Sequence, residues 1–325
     1  MRPVPPLAAA QFGAFTTAQA LEVGWTPSAI RHAVRLGRIE RLRPGVYATA
    51  FEPTGLRSAD NTTRLTRAAA ALALVNPRLP ISHSSAGALM DLPLVDVPSR
   101  VCVTTPRGAR GRRAAVTGAH VHHAALSRAD RYRANRILVT SPARTVIDVG
   151  RESGVDAAVV TADAALRRQL TTKHQLSTAL GACIGWPGVR AAARAISLAD
   201  PRSESPLESL SRLRIVDAGL PTPELQPRIF DPAGRFLGRV DFYWDEFGVI
   251  GEADGLLKFD EDRTALRKEK VRQGLLEDAG LIAVRWGWVD LSDFSRAAQR
   301  LRAAFQRGVR ADRHPRCWLA RPTEV

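Results

Sequence analysis

Residues 239–244 and 249–254, RVDFYW and VIGEAD, are two largely apolar runs joined by Asp245, Glu246, Phe247 and Gly248. So short a connection folds the runs back on each other as an antiparallel hairpin. A regular hairpin about this turn sets Trp244 opposite Val249, Phe242 opposite Gly251 and Asp241 opposite Glu252. Side chains two apart on a strand share a face, so Asp254 falls on the side of Glu252, within one pleat of both acids. Like charges this close destabilise one another unless a cation lies between them. Carboxylate oxygens with positions left for water suit Mg2+ or Mn2+, the ions of phosphodiester hydrolysis. The alternatives are a register slip that turns Asp241 to solvent, or pairing of the acids with arginines such as Arg239 and Arg285.

Upstream, SPLESLSRLRIVDAGLP reads as an amphipathic helix capped by Ser205, with Pro206 at its first position and Glu208 one turn in. Downstream, RTALRKEKVRQGLLEDAG reads as a helix closed by Gly280, and LIAVRWGWVDL as a buried strand. The order helix, strand, hairpin strand, helix, strand, with RVDFYW, GEADG, KF, EKVRQ and VRWGWVDL, resembles the PD-(D/E)xK superfamily over about residues 203–305. Within it, the likeness is to the domain related to very-short-patch-repair endonucleases. The resemblance implies a restriction-endonuclease-like α/β/α domain that uses Mg2+ or Mn2+, with Asp241 as central metal ligand, Glu252 as second and Glu208 as a contributor from the first helix. The superfamily's Glu-x-Lys is here Glu252-Ala253-Asp254, so its lysine is missing from the strand. Lys258 or Lys270 is the candidate replacement, or Asp254 holds metal or serves as base. The expected catalytic set is Asp241, Glu252, Asp254 and Lys258, and the expected metal ligands are Asp241, Glu252, Asp254 and Glu208.

The formal net charge is +15, and it is unevenly placed: residues 1–200 carry 26 Lys and Arg against 12 Asp and Glu, whereas the remainder is nearly neutral. An arginine-based excess in the first two thirds favours a polyanion, most simply nucleic acid. The amino-terminal segment fits that partner. In FTTAQALEVGWTPSAIRHAVRLGRIERLRPGVYATA, Thr16 or Thr17 caps a short helix that Gly24 ends, and Thr26 caps a second with Pro27 first. Ile30, Ala33 and Val34 form the second helix's buried stripe, which leaves Ser28, Arg31, His32 and Arg35 exposed as on a recognition helix. RIERLRPGVYA then makes a hairpin about Pro44-Gly45 carrying Arg41 and Arg43. The sum is a winged helix-turn-helix whose second helix enters a major groove while the wing arginines reach phosphates; the alternative is a helical domain with a solvated basic face. The segment closely resembles the amino-terminal domain of AbiEi-type antitoxins of type IV toxin–antitoxin systems. The resemblance implies a double-stranded DNA site, repression of its own operon and a cognate toxin partner.

Between these ends the sequence says less. An Ala-rich helix is expected over residues 61–75, strands at VCVTTP and AHVHHA, and a helix over residues 154–170. The basic run RGARGRR, with Arg107, Arg110, Arg112 and Arg113, either grips phosphates or is solvated. ISHSSAGALMDLPL and LVTSPARTVIDVG look like segments found behind the antitoxin head. His83 is read as structural or capping, and His120 and His122 share a strand face with no partner carboxylate at ligand spacing. Cys102, Cys183 and Cys317 are far apart and lack a Cys-x-x-Cys pair, so neither a disulfide framework nor a zinc ribbon is suggested. No run approaches the roughly 18 to 20 apolar residues of a membrane span, and the start lacks a leader-like core, so a cytoplasmic protein without membrane contact is expected. The expected architecture is an α/β multidomain chain: a winged helix at 1–55, a middle α/β domain at 56–198, an endonuclease-like domain at 199–310 and a tail at 311–325. Two functions follow: a metal-dependent DNA endonuclease in phage defence or repair, or an autorepressing antitoxin-like protein with an inactive nuclease fold.

Overall fold

The computed structural model describes residues 4–106, 118–231, 233–255, 263–310 and 319–321, with the backbone alone for residues 263–269, 310 and 319–321. The chain divides into two compact units, residues 1–199 and 200–325.

The first unit begins with β1 (Ala14–Thr16), α1 (Thr17–Glu22), α2 (Pro27–Arg35), β2 (Ile39–Arg43) and β3 (Val46–Thr49). The helices start where caps are available. Thr16 accepts the Gln19 N–H while the Gln19 side chain accepts the Thr16 N–H, and Thr26 accepts the Ala29 N–H with Pro27 at the first position. Gly24 (φ +83°) ends α1, and Gly45 (φ +74°) makes the turn between β2 and β3. The strands form one antiparallel sheet in the order β1-β3-β2, so the expected hairpin gains a third strand from the segment before α1. Phe15, Trp25, Ile30, Ala33 and Ile39 close the core beneath it, and full burial of Phe15 or Ile30 contributes about 1.5–3 kcal/mol each. This part of the chain is consistent with a winged helix.

The unit continues through α3 (Arg57–Val75), α4 (His83–Leu89), β4 (Cys102–Thr105), β5 (His120–His123), β6 (Arg131–Ala134), β7 (Ile137–Thr140), α5 (Pro142–Arg167), α6 (Lys173–Gly181) and α7 (Val189–Leu198). The Ala-rich helix starts at Arg57 rather than at residue 61, because buried Asp60 accepts both the N–H and the hydroxyl of Thr54 and binds the first turn to the chain before it. The helix expected from residue 154 instead begins at Pro142 under a Ser141 cap, and Gly154 (φ +87°) is a break inside it. β4 and β5 run parallel, β6 and β7 antiparallel, and Ile81 bridges to both pairs. His83 does not cap α4. It is buried at φ +53°, with its Nδ1 2.9 Å from the Ser82 hydroxyl. Arg107, Arg110, Arg112 and Arg113 lie outside the described residues.

The second unit contains α8 (Pro206–Asp217), β8 (Glu224–Leu225), β9 (Arg228–Phe230), β10 (Phe236–Arg239), β11 (Phe242–Trp244), β12 (Val249–Ala253), α9 (Arg263–Asp278), β13 (Ile282–Trp286), α10 (Ser295–Arg310) and β14 (Leu319–Arg321). One sheet has the order β13-β12-β11-β8 and a second β10-β9-β14. β11 and β12 pair antiparallel as Phe242↔Gly251, Tyr243↔Ile250 and Trp244↔Val249, around a 3-10 turn at Asp245–Phe247 ended by Gly248 at φ +57°. β12 and β13 are parallel. Residues 239–244 are not one strand, however. β10 pairs with β9 in the other sheet, and the chain changes sheets at Val240 and Asp241, where Val240 N–H and Asp241 C=O bond to the segment around Gln226. Asp241 therefore stands one residue outside the hairpin ladder. Among the described residues no helix is long and apolar enough to cross a membrane.

Candidate active site and nucleic-acid interface

Five segments of the second unit bring polar side chains to one place. α8 supplies Glu208, whose N–H is held by Ser205 Oγ at 3.1 Å and whose Oε2 accepts the Glu204 N–H at 2.8 Å. The connection between β8 and β9 supplies Gln226, buried and held at φ +55°, a conformation that costs a non-glycine residue on the order of 1–3 kcal/mol. Its amide nitrogen donates to Glu208 Oε2 at 2.8 Å and to Asp241 Oδ1 at 3.2 Å, so one NH2 group bridges two acids. The bend before β11 supplies Asp241, and Asp241 Oδ2 accepts the Ala253 N–H at 2.8 Å. β12 supplies Glu252, buried like Glu208. Both terminal nitrogens of Arg272, on α9, donate to Glu252 Oε1 at 3.0 and 3.1 Å.

Burial, followed by the charges of Glu252 and Glu208, pushes the Asp241 carboxyl up to about 7, against the opposing pull of the Ala253 N–H and the Gln226 amide. A carboxyl that is partly protonated at neutral pH gives up its proton readily to a cation placed among the same acids. All the donors here are hard oxygens, the set that Mg2+ and Mn2+ prefer.

Asp254 does not join this group. β12 ends at Ala253, the Asp254 N–H donates to Trp286 O at 2.8 Å, and its carboxylate pairs with Arg285 at 3.5 Å. Arg239, the other arginine considered, holds Glu204 instead, at 2.7 and 2.8 Å. Lys258 lies outside the described residues. Lys270 is exposed on α9, and residues two apart on a helix point about 200° from each other, so the α9 cation that reaches Glu252 is Arg272. Sequence reasoning missed Gln226, which sits in no motif, and Arg272, which lies within EKVRQ but was passed over for Lys270; their partners lie 15 and 20 residues away.

In the first unit, α2 buries Ile30 and Ala33 and exposes Ser28, Arg31, His32 and Arg35, as its spacing implies. The Ser28 hydroxyl lies 2.9 Å from that of Thr26, beside the helix start. In the wing Arg41 is exposed and Arg43 half-buried next to the turn, with a bulge between them. The acid of the wing, Glu40, is paired with Arg67 of α3 at 2.5 Å, which leaves the arginine side positive.

Residues 2–50 match the family model described as transcriptional regulator, AbiEi antitoxin. The AbiEi match covers α2 and both wing strands. Two Mycobacterium tuberculosis proteins, uncharacterized protein MT2308 of strain CDC 1551 / Oshkosh and uncharacterized protein Rv2248 of strain ATCC 25618 / H37Rv, are each 32% identical over 170 residues, 52% of this chain and 61% of theirs. The chain thus spans less than two thirds of the curated relatives it matches. The crystal structure of the RV2827C protein from Mycobacterium tuberculosis aligns at a TM-score of 0.35 and 15% identity, over 65% of this chain and 82% of that one.

Proposed function

We propose that the chain is a DNA-binding regulator of the AbiEi antitoxin kind whose second unit is a PD-(D/E)xK-type, metal-dependent DNA endonuclease acting in phage defence or repair. The observation that carries the nuclease reading is the meeting of Glu208, Asp241 and Glu252: the Gln226 amide bridges Glu208 and Asp241 at 2.8 and 3.2 Å, and the charges of Glu252 and Glu208 add to burial in raising the Asp241 carboxyl. The element order α8, β11, β12, α9, β13 supports it. Asp241 and Glu252, with Glu208, would hold Mg2+ or Mn2+, and the bound ion supplies Lewis acidity and a water of lowered pKa. Gln226 orients the Glu208 and Asp241 carboxylates, while the Arg272 guanidinium holds Glu252 and offsets negative charge beside it. Lys258 would take the role of the missing lysine at the phosphate, whereas Asp254, paired with Arg285 apart from the three acids, is left out of the catalytic set. Ser28, Arg31, His32 and Arg35 read double-stranded DNA in the major groove, and Arg41 and Arg43 hold phosphates. The setting is cytoplasmic.

The test compares wild type with Asp241→Ala and Glu252→Ala on supercoiled and linear DNA, with Mg2+ and with Mn2+. Wild type is expected to nick and both variants to lose at least about 100-fold, a loss of about 2.7 kcal/mol in transition-state stabilisation. Equal residual cleavage by all three proteins would point to a contaminant. No cleavage together with no metal-induced stabilisation would transfer the assignment to a second reading: an autorepressor of a type IV operon with a cognate toxin and an inactive nuclease fold. The Arg272–Glu252 pairing favours that reading, because the guanidinium neutralises one acid of the cluster.

The head is tested separately. Replacing Arg31, Arg35, Arg41 and Arg43 by alanine is expected to weaken binding to duplex DNA and to reduce the slope of log K against log salt by about 0.9 for each phosphate contact removed. An unchanged affinity and slope would leave the basic face solvated and without this role.

A further inference from the structure

A different set of ligand-type side chains converges in the first unit. β4 and β5 pair in parallel with Cys102 beside His120, and alternation along β5 puts His122 on the same face as His120. α5 delivers Glu152 to that face, two residues before the break at Gly154. Its Oε1 lies 3.4 Å from His120 Nδ1 and 3.6 Å from His122 Nε2. Together with Cys102 Sγ these ligand atoms all lie within 4.8 Å of one another. The sequence alone had shown no carboxylate for the histidines, since Glu152 is 30 residues beyond His122 and arrives only by the path of α5.

The second observation is independent of the clustering. Among the described residues, His122 Nε2 is buried and has no hydrogen-bond partner, a state that folded proteins rarely leave without a reason. The His122 ring stacks on His83 with centroids 3.6 Å apart and lies 4.3 Å from the His120 ring. Burial above all pushes His83 and His122 down to about 3, so both rings are neutral at physiological pH. In the tautomer protonated at Nδ1, His122 Nε2 presents a free lone pair to Glu152 and Cys102. Burial holds the Cys102 thiol protonated, up to about 12, and a coordinating cation would displace that proton.

We propose that Cys102, His120, His122 and Glu152 form a four-ligand site for a divalent transition metal of the Zn2+ class. One thiolate, two imidazoles and one carboxylate suit Zn2+ and do not suit Mg2+. Tetrahedral Zn2+ with these donors has ligand-to-ligand separations of about 3.3–3.7 Å, so small rotations of His120 and Glu152, both on the exposed side, close the site. Four protein ligands leave no open position. The metal is therefore structural, fastening the β4–β5 pair to α5 and pairing the otherwise unsatisfied His122 nitrogen.

The test uses the full chain, stripped with a chelator and titrated with Co2+ and then Zn2+ while excess Mg2+ occupies any hard-oxygen site in the second unit. One Co2+ per chain is expected, with a thiolate-to-cobalt charge-transfer band and the intense d–d bands of tetrahedral Co2+, both abolished by equimolar Zn2+. His120→Ala and Glu152→Gln, at exposed positions, are expected to lower Zn2+ affinity in chelator competition by more than the roughly 10–100-fold that loss of a mere supporting residue costs. Cys102→Ser removes the charge-transfer band, and if that variant does not fold, the two exposed variants still decide. His123→Ala leaves binding unchanged, because its Nδ1 is engaged with the Thr105 hydroxyl at 3.2 Å. Absence of a stoichiometric thiolate–cobalt band, or Zn2+ affinity unaltered by either exposed variant, overturns the site. Cleavage of DNA is not read in this experiment, so its failure leaves the nuclease proposal untouched.

Discussion

Asp241→Asn is expected to stabilise the second unit by an amount that grows by about 4 kcal/mol between pH 4 and pH 8 in the absence of divalent metal. The folded-state carboxyl titrates at about 7, against an ordinary value of 3.8. A folded pKa raised above the unfolded one means that, between those values, the folded state binds the proton and the unfolded state does not. Its contribution to stability is thus fully present below about 3.8 and is lost as pH rises through about 7. A shift of about three units at about 1.36 kcal/mol each gives the expected size. Asparagine cannot ionise, and its amide oxygen still accepts the Ala253 N–H; its NH2 then faces that of Gln226, which Glu208 keeps turned this way, a cost that is the same at every pH and leaves the pH dependence as the readout. Native-state hydrogen exchange of the β11 and β12 amides reads this unit alone. Mg2+ should protect those amides at pH 8 in wild type and have little effect in Asp241→Asn. A difference between the proteins that stays flat from pH 4 to pH 8 would mean that Asp241 does not ionise against burial and neighbouring acids.

The second large effect concerns Arg144, within LVTSPARTVIDVG. Arg144 is 2% exposed, and its Nε lies 3.0 Å from both oxygens of Asp148, which is 0% exposed. Arg151 adds a contact to Asp148 at 3.1 Å, and both guanidinium groups lie under 5 Å from the Trp186 ring centre, at 4.9 and 4.8 Å. Burial already raises the Asp148 pKa, and Arg144 is the first of the groups that oppose it. Arg144→Met removes that partner and is expected to destabilise the first unit by about 3–5 kcal/mol, the usual cost of breaking one side of a buried ion pair. The double variant Arg144→Met/Asp148→Leu should recover most of the loss, since Arg151 is the more exposed arginine and can turn to water. Exchange of the α5 amides across the double-mutant cycle measures this. Simple additivity of the two single losses would show that the pair is not coupled.

Much of the local structure was legible before any fold was known. Caps at Thr16, Thr26 and Ser205, chain reversals at Gly45 and Gly248, and the register of Phe242 against Gly251 each depend on residues a few positions apart. Chemistry over that range is dictated by backbone geometry: a hydroxyl reaches the third N–H of a helix, and a tight turn dictates which residues face each other. The exposed face of α2 followed from helical period for the same reason. Where periodicity was misread, the cause was also physical. Residues 239–244 look like one strand because alternation continues across Val240, and nothing local records that β10 finds its partner in another sheet.

What the sequence by itself determined, then, is the set of short-range contacts: the helix ends, the wing, the hairpin and, through its register, the nearness of Asp241 just before one strand to Glu252 on the next. Only the tertiary structure decided which side chains arrive from elsewhere. Gln226 joins Glu208 to Asp241, Arg272 rather than a lysine meets Glu252, Asp254 leaves for Arg285, and Glu152 completes the histidine face. Those meetings are set by how whole elements pack, because burying an apolar face fixes a helix's position, and the polar residues on its other faces are carried wherever that packing places them.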